Sequence, residues 1–448
     1  MSQVGNRLLG AAGLLLPTLC LFGAGAAAAQ DAAPALLAHQ AALELDGAGT
    51  AWLGTSTALV LLMTLPGLAL FYGGMVRRKN VIATITQSVG VFAVVSLVWF
   101  IAGYSLAFGA NPSEGLQPFV GSLDMLFLNN VSLQTANGLL PGIPEFLFIA
   151  FQMTFAIITP ALVTGAFAER MKYSALLLFT ALWSLLVYAP ICHWVWGGGF
   201  LGSAGVLDFA GGAVVHVNSG VAGLVCAIFL GRRKGYGVEP ILAHNPVLTM
   251  IGASLLLVGW IGFNAGSAGA ANDLMGVALL NTVLAAAAGA LTWKIVEYIE
   301  KKKVSLIGML SGVVAGLVAI TPAAGFVDPK GAVIIGLIAG PVCYAASVWI
   351  KKLLRYDDSL DAFGIHGAGG LIGALLTGVF ATTAINSLSE GANVGAQALG
   401  LVWTIVYSAV GTLVILFICK FTTGLRVSEA EETAGLDTSL HGEALETV

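Results

Sequence analysis

Charge is what this chain has least of. Only 9% of its 448 residues are Asp, Glu, Lys or Arg, against about 25% in soluble domains. That excludes an ordinary water-soluble globule. Cysteine is scarce as well. Cys20, Cys192, Cys226, Cys343 and Cys419 follow no metal-ligand or disulfide spacing. This excludes a zinc or disulfide framework, and the last four read as small buried hydrophobes. No cluster calls for a metal or cofactor, and nucleic acid is not an expected partner.

What is present is apolar, at 58% of residues. It falls in blocks of roughly 20 residues, the length that crosses a hydrocarbon core as a helix. The expected fold is an all-α polytopic membrane protein. Eleven spans are predicted, at 52–74, 81–108, 145–168, 174–196, 211–230, 247–265, 274–296, 304–324, 332–350, 360–380 and 397–419. Glycine, 58 residues in all, suits close approach of helices in a membrane. Gly312 and Gly316, and Gly336 and Gly340, have the small-xxx-small spacing.

The first residues form a separate unit. Arg7 precedes a short apolar run and then "AAAAQD". A positive start, an apolar centre and an A-x-A site read as a signal peptide over 1–29. Pro17 and the shortness of the run argue against a first membrane helix. The mature chain would begin near Gln30, outside the cytoplasm. A membrane domain would cover 30–421, and an acidic, polar tail 422–448. That tail is expected to be either disordered or docked on the cytoplasmic face.

Basic residues set the orientation. They follow the odd-numbered spans: Arg77, Arg78 and Lys79; Arg170 and Lys172; Arg232, Arg233 and Lys234; Lys294 and Lys301 to Lys303; Lys351, Lys352 and Arg355; Lys420 and Arg426. The loops of the other side hold Lys330 alone. Odd spans therefore end in the cytoplasm. The tail is inside and the long connection 109–144, which lacks Lys and Arg, is an ordered or semi-ordered loop outside.

Two histidines interrupt the apolar blocks. His216 lies in "AGGAVVHVNSG" and His366 in "AFGIHGAGGLIG". Asp208 and Asp358 each stand eight residues before one of them, and Gly220 and Gly370 four after. One set lies at the fifth span and the other at the tenth. The pattern predicts two inverted five-helix repeats, about 50–235 and 245–382, around a central pore, with an eleventh helix outside them. Intramembrane ionisable residues usually mark a pathway. A neutral pair can share one hydrogen bond and still offer a donor and an acceptor to a small polar solute. Nearby aromatics form the second element. Trp196 lies at the outer end of the fourth span, Trp260, Phe263 and Ser267 near the outer end of the sixth, and Phe151 and Phe155 on one face of the third. Ring faces and a hydroxyl can replace water around a small cation, though most of the aromatics are expected to be packing or interface residues.

The motifs "GAFAERMKYSA", "HWVWGGG", "DFAGGAVVHVNSGVAGLV", "GWIGFNAGSAG" and "DDSLDAFGIHGAGG" resemble, in order and in register, the ammonium transporter family Amt/Mep near its bacterial members. The resemblance runs from about Thr50 to the tail. It implies a homotrimer with a pore through each subunit. It implies an outer recruitment site of Trp196, Phe155 and Ser267, oriented indirectly by Asp208. It implies a gate of Phe155 and Phe263, with Phe151 and Trp260 as further residues of the mouth. His216 and His366 match the histidines that line the lumen and could relay protons. Ammonium or ammonia, with methylammonium as a related solute, is the implied cargo. The tail resembles the segment that docks the PII signalling protein. Three other readings share these residues: a Rhesus-type channel for ammonia or carbon dioxide, a sensor acting through a partner, and an intramembrane enzyme using Cys192 and His193. Ser267 and Trp196 argue against the first, the short tail against the second, and the lack of a further nucleophile or metal site against the third.

Overall fold

The computed structural model describes residues 40–445. The expected signal peptide and Cys20 lie outside them. Among the described residues, ten helices are long and apolar enough to cross a membrane. They are α1 (Gly47–Met75), α2 (Arg78–Phe108), α3 (Glu145–Phe167), α4 (Tyr173–Ser203), α5 (Gly212–Leu230), α6 (Pro246–Gly266), α7 (Asp273–Lys301), α9 (Pro329–Leu354), α10 (Phe363–Phe380) and α11 (Val394–Thr422). The shorter apolar helix α8 (Leu306–Ile320) makes the eleventh. Helices solve the backbone problem of a membrane because each satisfies its own N–H and C=O groups. Their exposed starts are capped by side chains: Asp46, Asn245, Asn272, Ser305, Asp328 and Asn393 each accept a backbone N–H of the first turn.

Among the described residues the bundle carries one pair of strands, β1 (Gln40–Ala42) antiparallel to β2 (Thr135–Asn137). They lie on what we call the loop face, with residues 109–144. The opposite end is the tail face. There the acidic tail docks instead of dangling, in α12 (Glu429–Ala434) and α13 (Leu436–His441). Asp437 Oδ1 accepts the Ala83 N–H at 2.8 Å, and Asn80 Oδ1 accepts the Leu436 N–H at 2.8 Å. Glu432 accepts the Lys234 N–H at 2.6 Å and pairs with Arg426 at 2.7 Å.

Glycines set the closest contacts. In α7, α8 and α9 a Cβ at Gly289, Gly312, Gly316, Gly336 or Gly340 would press on a neighbouring backbone. Cys192, Cys226, Cys343 and Cys419 are buried free thiols.

Arg170 and Arg233, read in the sequence as orientation signals, are buried in a network at the tail face. Arg233 forks onto Asp357 at 2.8–3.3 Å and reaches Glu169 at 3.4 Å. Arg77 also pairs with Glu169, at 2.7 Å. Arg170 donates to the carbonyls of Ala166 and Asp357 and to Ser359 Oγ. Burial pushes Glu169 up, but Arg233 and Arg77 outweigh it and hold its carboxyl below the usual range. For Asp357, likewise, burial raises and Arg233 prevails. Folded values below unfolded ones mean stability that is present above the unfolded carboxylate value and lost as pH falls through the folded one. The part of thermal stability in detergent that Glu169 and Asp357 supply should therefore be constant above about pH 5 and decline below about pH 4, near the ordinary carboxylate values. In the Glu169→Gln variant that acid decline should be shallower, on a lower plateau.

Candidate functional site

The site grows from two helix starts that enter the bundle from opposite faces. α5 begins at the loop face, α10 at the tail face. Each opens with a wide, π-type turn that contains its histidine, Gly212–Val217 for His216 and Phe363–Gly367 for His366. Such turns recur at functional sites because they re-aim a side chain. Each start is capped by the aspartate eight residues earlier. Asp208 accepts four N–H groups, those of Gly211, Gly212, Ala213 and Val214, at 2.5–3.1 Å. Asp358 accepts those of Ala362 and Phe363 at 3.0 and 2.8 Å. The matched spacing in the sequence is a matched cap in space, in opposite directions.

The two starts cross where the glycines are. A Cβ at Gly220 would overlap the backbone nitrogen and Cα of Gly367. A Cβ at Gly370 would come to 2.9 Å from the Gly212 oxygen and 3.1 Å from the His216 Cβ. Close crossing brings the imidazoles together with their planes 24° apart, centroids 5.3 Å apart and Nδ1 to Nδ1 at 3.3 Å. One Nδ1 must donate and the other accept. The donor ring then has a lone pair on Nε2, and the acceptor ring an N–H there. His216 Nε2 is buried and has no partner. A cavity lined by both histidines with Ile158, Leu162, Leu256 and Val314 lies beside the pair. The arrangement offers one donor and one acceptor inside otherwise apolar walls.

Aromatic rings stack from the histidines towards the loop face. Phe263 lies on His216, with centroids 5.9 Å apart. Phe155 lies on Phe263 at 4.3 Å. Trp196 stands edge-on to Phe155 at 6.1 Å and 90°. Phe155 and Phe263 are buried, and Trp196 is half-buried. Phe151 packs behind Phe155 at 5.0 Å. The Trp196 indole N–H donates to the Asp208 carbonyl at 2.8 Å. Asp208 thus ties the α5 start to the tryptophan, and its carboxylate is fully engaged by backbone. Ser267, one turn beyond Phe263, donates to the Phe263 carbonyl at 2.8 Å, which leaves its oxygen lone pairs free to accept.

Trp260 departs from the sequence expectation. It lies not at the mouth but alongside His216, with centroids 5.4 Å apart, and donates to Thr321 Oγ1 at 2.9 Å. The helical period explains this. It stands seven residues, or two turns, below Ser267 on α6. The sequence also gave no sign that Thr321 would hold it. Cys192 and His193 make no reactive pair. Both His193 ring nitrogens lie against backbone carbonyls, of Ala107 at 2.9 Å and Gln117 at 2.7 Å, so both are turned to backbone.

Comparison with known proteins gives one consistent result. Residues 51–445 match the model of the Ammonium Transporter Family. The chain is 47% identical over 415 residues to an ammonium transporter of Aquifex aeolicus, covering 91% of this chain and 95% of that one. It is 48% identical over 398 residues to an ammonium transporter of Bacillus subtilis, covering 86% and 95%. Among solved structures, Saccharomyces cerevisiae Mep2 superposes with a TM-score of 0.79 at 36% identity, covering 86% of this chain and 88% of that one.

Proposed function

This chain belongs to the ammonium transporter family, and from that premise we propose that it recruits ammonium at Trp196, Phe155 and Ser267, passes one of its protons to the imidazole pair His216 and His366 for relay, and conducts the remaining ammonia past the same rings into the cytoplasm for nitrogen assimilation. The observation that carries this reading is the continuous column from Trp196 through Phe155 and Phe263 to the hydrogen-bonded histidines.

Magnitudes favour deprotonation over passage of the ion. Moving a bare ion of this size into a low-dielectric interior costs, in the idealised limit, on the order of 20 kcal/mol. Cation–π contacts of about 0.5–2 kcal/mol each can hold ammonium at the mouth but cannot offset that cost along the path. Ammonia carries no such penalty, and the imidazole pair supplies the hydrogen bonds that water gave it. Potassium has no proton to release, so the same step excludes it. Ser267 acts before that step, as an acceptor for an ammonium N–H. In the Ser267→Ala variant the half-saturating ammonium concentration should rise about tenfold, as loss of one charge-assisted hydrogen bond implies, with maximal flux retained. Uptake into proteoliposomes over a range of ammonium concentrations measures both.

The odd-span excess of Lys and Arg supports a cytoplasmic tail face in the inner (plasma) membrane, with the mature N-terminus outside after loss of residues 1–29. The active unit is a homotrimer with one pore per subunit, and the docked tail is the surface offered to PII protein. A Rhesus-type neutral-gas channel is separated from this reading by electrical recording. Ammonium recruited as an ion should evoke a current when its proton also crosses, whereas a neutral gas gives none.

A further inference from the structure

The chain leaves α2 at Phe108 and then turns back along the flank of that helix. The Gly121 N–H donates to the Leu106 carbonyl at 2.8 Å. Ser105 Oγ donates to the Ser122 carbonyl at 2.8 Å and accepts the Met125 N–H at 3.0 Å. The Phe127 ring then meets Phe100 edge-on, with centroids 5.9 Å apart. Phe100 lies eight residues before the end of α2, about 12 Å down the helix at roughly 1.5 Å per residue. Phe100, with Leu97 and Ile101, is on the exposed flank of α2. In a membrane-crossing helix such a flank meets lipid or a neighbouring subunit.

The backbone of this segment is folded in an unusual way. Phe127, Leu128 and Asn130 have φ of 55°, 58° and 67°. For bulky residues such as Phe and Leu the left-handed region is unfavourable. Here it closes a series of tight turns. Leu126, Leu128, Asn129 and Val131 donate their N–H groups to the carbonyls of Leu123, Met125, Leu126 and Leu128 at 3.0–3.3 Å. The Asp124 N–H donates to Ser122 Oγ, and the Asn130 side chain to the Asp124 carbonyl. The Asn130 carbonyl accepts from the Gln40 side chain at 2.6 Å. These polar groups find their partners within the protein, as non-helical backbone must at membrane depth. Yet the Leu123 and Phe127 side chains are 57% and 55% exposed. Asp124, Asn129 and Asn130 are exposed as well, so the segment presents two large apolar side chains beside polar ones, the pattern of a water–hydrocarbon boundary rather than of a fully solvated loop.

We propose that residues 122–131 are an interfacial anchor whose partner is the bilayer itself, with Leu123 and Phe127 seated among acyl chains just below the headgroups. The apolar flank of α2 meets this segment at the Phe100–Phe127 contact, and the exposed Asp124, Asn129 and Asn130 would take the headgroup side. The connection 109–144 has no Lys or Arg, so hydrocarbon and not anionic headgroups is the partner it fits.

The test uses the full chain in phosphatidylcholine vesicles. Phe127→Cys and Leu123→Cys are each labelled with a nitroxide, and collision rates with oxygen and with a water-soluble nickel chelate are compared. Leu97→Cys on the flank of α2 is the lipid reference. Gly115→Cys, in open space on the loop, is the water reference. The unsubstituted protein gives the labelling blank. Both labels should favour oxygen several-fold, as Leu97→Cys does. Nickel preference matching Gly115→Cys would overturn the proposal. So would dipolar broadening between labels on neighbouring copies, which would mean that a second subunit covers this face. Leu123 lies outside the positive-φ run, so its label reports even if change at Phe127 disturbs the turn.

Discussion

His216→Ala should reduce ammonium flux about a hundredfold or more, the scale on which removal of a positioned proton-transferring group acts. The reasoning starts from the shared hydrogen bond. His216 and His366 face each other Nδ1 to Nδ1 at 3.3 Å. Removing one ring takes away one of two polar contacts in the lumen and leaves the other imidazole without a partner. A buried polar group so orphaned costs about 1–3 kcal/mol, so the variant should also melt earlier in detergent. His366→Ala should behave alike. The double variant should be little worse than either, because the pair acts as a unit and its losses do not add. Flux from the same proteoliposomes under an ammonium gradient is the readout. Unchanged flux and unchanged exclusion of potassium in both single variants would remove the pair from the mechanism.

Gly220→Ala should be nearly as damaging for a different reason. The added methyl would overlap the backbone of Gly367, next to His366. Side chains can rotate away from a clash, but a backbone atom in a packed crossing cannot. Overpacking a core typically costs about 1–3 kcal/mol, occasionally more, and a backbone neighbour puts this case at the upper end. The helices must separate, so the histidine contact is lost together with stability. Gly54→Ala on α1 is the control, since a Cβ there meets nothing within 4 Å. It should be neutral or stabilising by up to about 1 kcal/mol. Melting temperature and ammonium flux should fall together for Gly220→Ala and stay together for Gly54→Ala.

The contrast between those glycines shows what a sequence carries and what it does not. Hydropathy is local, so the spans could be read within a few residues: 145–168 is the helix Glu145–Phe167, and 397–419 lies within Val394–Thr422. The Asp–His–Gly spacing is also local, and it marked both helix starts. Which glycine meets which backbone is not local. Nothing around Gly220 names Gly367 as its neighbour. The same holds for Arg170 and Arg233. Their clustering reads as an orientation signal, but their burial depends on Glu169 and Asp357, which nothing local names. The tail is a third case. Its residues read equally as solvated or docked until Arg426 pairs with Glu432, the Ala83 N–H meets Asp437 and Lys79 reaches the Thr433 carbonyl. The sequence neighbours of Trp260 point to the mouth, yet its ring lies beside His216. Two turns of helix separate it from Ser267.

The most direct test of the central claim compares two ions of like size and charge. Proteoliposomes holding the intact protein are given an ammonium gradient or an equal potassium gradient, and influx is followed in each. Loss of a proton at the aromatic stack predicts saturable ammonium influx and no potassium influx above that of protein-free vesicles. Potassium entering at a rate comparable to ammonium would contradict the account, because an ion with no proton to release would then be crossing the pore intact.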